Sequence, residues 1–221
     1  MIPREVVGVA EVPGGPPLRL VRHGGDFMIM LDRNELMSSR MSGSEVALGT
    51  MTLQRLATSE PRLLIGGYGM GFTLRAVLAA VGPAARVTVA ELVPGVIDWA
   101  RGPMQDMAGG CLDDPRVEIR IADVGAVMAE GRGAYDAILL DVDNGPDGLT
   151  RQANDGLYTA RGLERARAAL RPGGILAVWS AGADAAFTRR LNLAGFVVEE
   201  VKVRARENGK GPTHTIWFAR I

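Results

Sequence analysis

The stretch Leu63–Phe72 reads LLIGGYGMGF, and the way it is taken decides the fold. Consecutive large aliphatic residues without alternation suit a strand buried on both faces, as in a parallel sheet. They run into Gly67-Tyr68-Gly69-Met70-Gly71, a GxGxG turn, and then into Phe72–Ala80, which has helical character. Glycines there permit a tight bend and let a ligand approach the backbone at the start of a helix. By itself this is equally an ordinary strand-to-helix turn. Its weight comes from the next segment, VTVAE at residues 87–91, a second apolar strand closed by Glu91. A carboxylate in that place can accept hydrogen bonds from both hydroxyls of a ribose.

Outward from this unit, apolar runs and helical stretches alternate. Val117–Ile121, Ala137–Leu140 and Ile175–Trp179 read as further strands, and Pro94–Met107, Val124–Ala129, Ala160–Leu170 and Thr188–Ala194 as helices. That alternation argues for a parallel sheet with helices on both faces, a Rossmann-like α/β domain over residues 44–221. Phe196–Val203 and Thr213–Arg220, joined by ENGKGP, form a closing antiparallel hairpin. Upstream, Glu5–Val12, Leu18–Arg22 and Phe27–Leu31 are short strands divided by PGGPP and HGGD, which makes residues 1–43 a small antiparallel β unit. Ser44–Ala57 reads as a helix with Ser44 at its N-cap.

Two more acids follow strands. Asp123 comes after Val117–Ile121, where it is either a ligand group or a helix N-cap, and Asp141 follows Ala137–Leu140 directly. Ligands of open parallel sheets bind beyond the carboxyl ends of the strands, the edge expected to carry Glu91, Asp123 and Asp141. Asp141 also opens Asp-Val-Asp-Asn-Gly-Pro, more carboxylate than a turn needs, so Asp141 and then Asp143 are the candidates for proton transfer. Glu91, at the open edge, is expected to matter for binding and little for folding.

Composition excludes several classes. Lys+Arg and Asp+Glu each total 25, so there is no positive excess for a nucleic-acid clamp or a membrane-surface anchor. Lys202, Arg204, Arg206 and Lys210 read as a solvated hairpin. The single Cys111 cannot form an internal disulfide, and with only two histidines, His23 and His214, no metal site is expected. No signal-peptide core or 18-residue apolar span appears, and cytoplasm is the expected location.

The blocks LLIGGYGMGFTLRAVL, VTVAELVPGVIDWAR, DDPRVEIRIADV and YDAILLDVDNGP resemble, in order and spacing, the spermidine synthase family. That family is the aminopropyltransferase branch of the S-adenosylmethionine-dependent methyltransferase fold. The resemblance implies a seven-stranded Rossmann-like sheet ending in an antiparallel hairpin. It implies a donor pocket of S-adenosylmethionine, or its decarboxylated form, made by Gly67, Gly69, Met70, Gly71, Glu91, Leu92, Asp123, Val124 and Asp141. Within it Glu91 would hold the ribose, Asp123 the adenine amino group, and Asp141 would be the proton acceptor. A homodimer built partly from the N-terminal strands is also implied.

Two departures shape the functional reading. The family places an aspartate where this chain has Met70, to hold the donor's aminopropyl amine. The segment MSSRMSGSEVAL, residues 37–48, lacks the acidic and tyrosine-containing set that shapes a polyamine site. Met28, Met30, Met37, Met41, Met51 and Met70 instead suggest either ordinary core or an apolar acceptor pocket. Trp99, Trp179 and Trp217 are expected in the core; His23 and His214 remain candidate bases. The expectation is methyl transfer to a small non-polyamine acceptor, with aminopropyl transfer as the alternative and a non-catalytic binding module as a third reading.

Overall fold

Strand β5 (Arg62–Gly66) lies at the centre of the sheet and explains the unbroken aliphatic run. It pairs in parallel with β6 (Arg86–Glu91) on one side and β8 (Tyr135–Leu140) on the other. Leu63 and Ile65 enter one core layer with Leu139 and Ala177, while Leu64 enters the opposite layer with Ile138, Leu140 and Val178. The computed structural model describes residues 3–142 and 156–221.

The large sheet has seven strands in the order β10-β11-β9-β8-β5-β6-β7. Here β7 is Val117–Ile121, β9 Leu170–Ser180, β10 Val197–Arg204 and β11 Thr213–Arg220. Six strands run in one direction, and β11 is inserted antiparallel between β9 and β10. This is the Rossmann-like methyltransferase-type arrangement expected from the sequence. Helices α1 (Gly43–Gln54), α2 (Phe72–Leu78) and α3 (Pro94–Arg101) cover one face. The other face is covered by α5 (Val124–Glu130), α6 (Ala160–Ala169) and α7 (Ala185–Leu193). Trp217, fully buried on β11, donates its indole N–H to Thr188 Oγ1 (2.8 Å), a satisfied core position. No helix among the described residues is long and apolar enough to cross a membrane.

The N-terminal unit is an antiparallel meander of four strands, β1 (Arg4–Ala10), β2 (Leu18–His23), β3 (Asp26–Leu31) and β4 (Asn34–Ser38). Strand β4 was not expected, because Asn34-Glu35 reads as a turn and too few apolar residues follow. Its inner face, with Ala10, Leu20 and Ile29, is continuous with the core around Trp99 and Ile97 of α3. Close approach depends on small residues. A Cβ on Gly8 would strike the Trp99 indole, and one on Gly95 would lie 2.5 Å from Ala10 Cβ.

Two helices differ from their expected form. Pro94–Met107 is broken into α3 and α4 (Gln105–Ala108), since Gly102-Pro103 lies between and proline has no N–H for the helical ladder. The first helix begins at Gly43, with Ser42 at the cap making no capping bond, its hydroxyl donating instead to Glu207 Oε1 (3.3 Å); Ser44 is already inside it and its hydroxyl turns inward. Gly43 is required there because a Cβ would sit 2.6 Å from the Arg206 backbone.

The seam between the two sheets gives a direct test. Gly95→Ala should lower unfolding free energy by about 1–3 kcal/mol through overpacking against Ala10. Proteolysis should then release the N-terminal strands first. Gly25→Ala, with nothing within 4 Å of the added carbon, should leave both urea denaturation and proteolysis unchanged.

Candidate active site

The glycine turn crosses the carboxyl edge of the sheet and is held from both sides. Gly67 N–H donates to Ala90 O (2.9 Å), and Asp141 N–H donates to Gly66 O (2.9 Å). Gly67, Gly69 and Gly71 have φ of 86°, 56° and 74°, in the left-handed region that side chains disfavour. A Cβ on Gly67 would also collide with the Asp141 carbonyl.

Glu91 ends β6 beneath this turn. Its Oε2 accepts from Tyr68 N–H and its Oε1 from Val93 N–H, each at 2.8 Å. Burial pushes its carboxyl above the usual range, against the pull of these backbone donors. Glu91 is only 7% exposed, so the expectation that it matters little for folding is corrected. It ties the glycine turn to the start of the next loop while still contributing to the cleft wall.

One cleft gathers most of the expected donor residues. Gly67, Gly69, Glu91, Leu92, Asp123, Val124 and Asp141 all line it. Asp123 is the N-cap of α5, accepting from Ala126 N–H (2.8 Å), and it is also exposed to the cleft. The opposite wall comes from strands β2, β3 and β4 of the N-terminal sheet, through Leu18, Ile29, Leu31, Leu36 and Met37. Met37 roofs the turn, its Sδ only 2.9 Å from where a Cβ of Gly69 would be. Of the six methionines singled out, it alone lines the cleft.

Met70 and Gly71 do not line it. Met70 is 1% exposed and packs in the core below the turn, because left-handed glycines on either side rotate its side chain inward. Asp143 lies outside the described residues, as does the turn Asp143-Asn144-Gly145.

Asp141 stands at the end of β8, partly buried, with Oδ2 accepting from Thr73 Oγ1–H (2.7 Å). The same hydroxyl is 3.2 Å from the backbone carbonyl of Glu45 on α1. Glu45 is buried, and both burial and the charge of Asp141 push its carboxyl upward. Burial likewise raises Asp141, opposed by the Thr73 bond. Sequence reading passed over Glu45 because it appeared in a segment short of acids. The available signal was a lone carboxylate on the inward side of a helix start. His214 on β11 also belongs here, its Nδ1 2.8 Å from Ser44 Oγ and its ring edge-on to Trp179. His23 lies in the distant hairpin between β2 and β3.

Residues 46–191 match the family described as the spermine/spermidine synthase domain, about two thirds of the chain. The chain belongs to the spermine/spermidine synthase family. A polyamine aminopropyltransferase 2 of Pseudomonas aeruginosa is 37% identical over 129 residues, covering 56% of this chain and 34% of that protein. A polyamine aminopropyltransferase of Korarchaeum cryptofilum is 34% identical over 131 residues, covering 59% of this chain and 38% of the relative. The match thus spans little more than a third of these relatives' length. The crystal structure of spermidine synthase from Thermotoga maritima superposes with a TM-score of 0.76 at 19% identity, covering 97% of this chain and 72% of that one. At that identity it shows the shared fold.

Because Glu91 satisfies two backbone donors, Glu91→Ala should lower the stability of the ligand-free protein by about 2–4 kcal/mol. Chemical denaturation measures this without any donor present. A parent-like midpoint would show that water replaces the carboxylate at no cost.

Proposed function

We propose that the chain transfers an aminopropyl group from decarboxylated S-adenosylmethionine to a small amine acceptor. In this reading Glu91 and Asp123 hold the adenosine part and Asp141 takes the acceptor's proton. One observation carries it: the described residues of the cleft wall include Glu91, Asp123 and Asp141 and no Lys, Arg or His. A methyl transferase would use the intact donor, which brings a carboxylate of its own into this acidic cleft. The decarboxylated donor keeps the sulfonium and ammonium and lacks that carboxylate. At an effective dielectric near 20, one repulsive pair at 4–6 Å costs about 3–4 kcal/mol.

Methyl transfer, which the sequence placed first, loses its basis in two ways. Met70 faces the core and so says nothing about the donor's tail. Residues 37–48 do supply one acid, Glu45, which lies behind the cleft and bears on Asp141 rather than on the ligand. The relatives' names support an acceptor of the polyamine class.

The chemistry suits this arrangement. The acceptor nitrogen forms a bond to the carbon next to S⁺ as the C–S bond breaks, and that electron pair stays on sulfur. Catalysis then consists of aligning the two reactants, excluding water and receiving one proton. In this reading Asp141, held by Thr73 at the end of a central strand, receives it.

Calorimetric titration with both donors tests the donor assignment. The decarboxylated form should bind at least about tenfold more tightly, in keeping with the charge argument. Tighter binding of the intact donor, with methylated product, would restore methyl transfer.

Asp141→Asn tests the base. Asparagine keeps an oxygen for Thr73 but loses basicity, so the single-turnover rate should fall about 10²–10⁴-fold. Donor affinity should stay within a few-fold. A parent-like single-turnover rate would remove Asp141 from the proton-transfer step.

A further inference from the structure

Behind Asp141 runs a buried chain of polar atoms that the proposed reaction does not itself use. Ser44 Oγ lies 2.9 Å from Glu45 Oε2 and 2.8 Å from His214 Nδ1. A serine hydroxyl carries one proton, so it can donate across only one of these contacts. The other contact needs a second proton, seated on Glu45 or on His214 Nδ1.

The two choices differ electrostatically. With the proton on Nδ1, the donors run from His214 through Ser44 and end on an ionised Glu45. With it on Glu45, they run from the carboxyl O–H through Ser44 to a bare Nδ1, and Glu45 is neutral. The groups facing this chain from the packed elements decide between them. Among the described residues the charged or titratable ones are Asp141 at the end of β8 and His214 itself on β11; Thr73 of α2 and Trp179 of β9 add no charge. Thr73 Oγ1 contacts the Asp141 carboxylate and the backbone carbonyl of Glu45, which ties the start of α1 to the end of β8, and the charge of Asp141 acts on the Glu45 carboxyl. Two ionised carboxylates sharing a buried site is the costly state. Burial lowers His214, which keeps its ring neutral and able to accept at Nδ1.

We propose that Glu45 is a positioning residue for the base: the Glu45–Ser44–His214 chain keeps the one proton shared by the two carboxylates on Glu45, leaving Asp141 ionised. The inference rests on the reading of Asp141 as proton acceptor. Glu45 is absent from the cleft wall and acts only through Asp141. Its neutral form lets Asp141 hold the single negative charge that the acceptor's proton then neutralises. An ionised Glu45 would push the proton onto Asp141 and block that step.

Carboxyl-carbon NMR titration of the ligand-free full chain tests this. His214→Phe keeps an aromatic ring against Trp179 and removes the acceptor, freeing Ser44 to donate to an ionised Glu45. The Asp141 midpoint should then rise by about one pH unit, the worth of one hydrogen bond. His214→Asn, whose amide oxygen can replace Nδ1, should restore the parent midpoint. In a Glu45→Gln background, adding His214→Phe should produce no rise. Should the Phe variant fail to fold, His214→Leu gives the same reading. An unchanged Asp141 midpoint in the folded single variant, or a rise that persists without Glu45, overturns the proposal. No donor or acceptor is needed, so failure of aminopropyl transfer and failure of this chain are separately visible.

Discussion

Two backbone N–H groups, those of Tyr68 and Val93, end on the single buried carboxylate of Glu91, and the site is organised around that arrangement. A tight turn of left-handed glycines exposes donors that helix α2 cannot satisfy, and buried donors without partners are expensive. Glu91 supplies the acceptors from the neighbouring strand. The turn is thereby pinned where Gly67 lies against the Asp141 carbonyl and Gly69 lies beneath Met37. The atoms that support the fold at this edge also line the cleft, so a ligand held by Glu91 would couple its affinity to local stability.

The cleft combines an acidic rim with an apolar roof. The acids stand at the end of β6 and just past β7 and β8, whereas the roof is lent by the N-terminal meander, Met37 included. Low-polarity walls strengthen every charge interaction within, which favours a ligand of positive charge. In the proposed reaction they would also exclude water from the donor's sulfonium centre. The meander can serve this purpose because Gly8, Ala10 and Gly95 allow it to lie directly on α3.

Much of the fold was legible in the sequence, for reasons that can be traced to particular elements. The strands β5 to β9 announce themselves as apolar runs, and the final hairpin by ENGKGP. One element that was missed lacked a local signature. Strand β4 is half polar and pairs only because β3 presents an open edge. The break between α3 and α4 was signalled by Gly102-Pro103 and was underweighted against an amphipathic pattern that continued past it. Asp123 illustrates an alternative that need not be resolved, since one carboxylate both caps α5 and faces the cleft.

The sequence by itself determined the order of strands, turn and helices, and that acids follow the strands on one edge. Those are consequences of periodicity and of glycine's backbone freedom, both local properties. Only the tertiary structure decided how each atom is used. Met70 turns into the core, Glu91 is spent on backbone donors, and Glu45 comes to stand beside Asp141. Ser44 meets His214 although most of the chain separates them. Burial and mutual distance set the charge state of such groups, and both are properties of the packed molecule that no single segment contains.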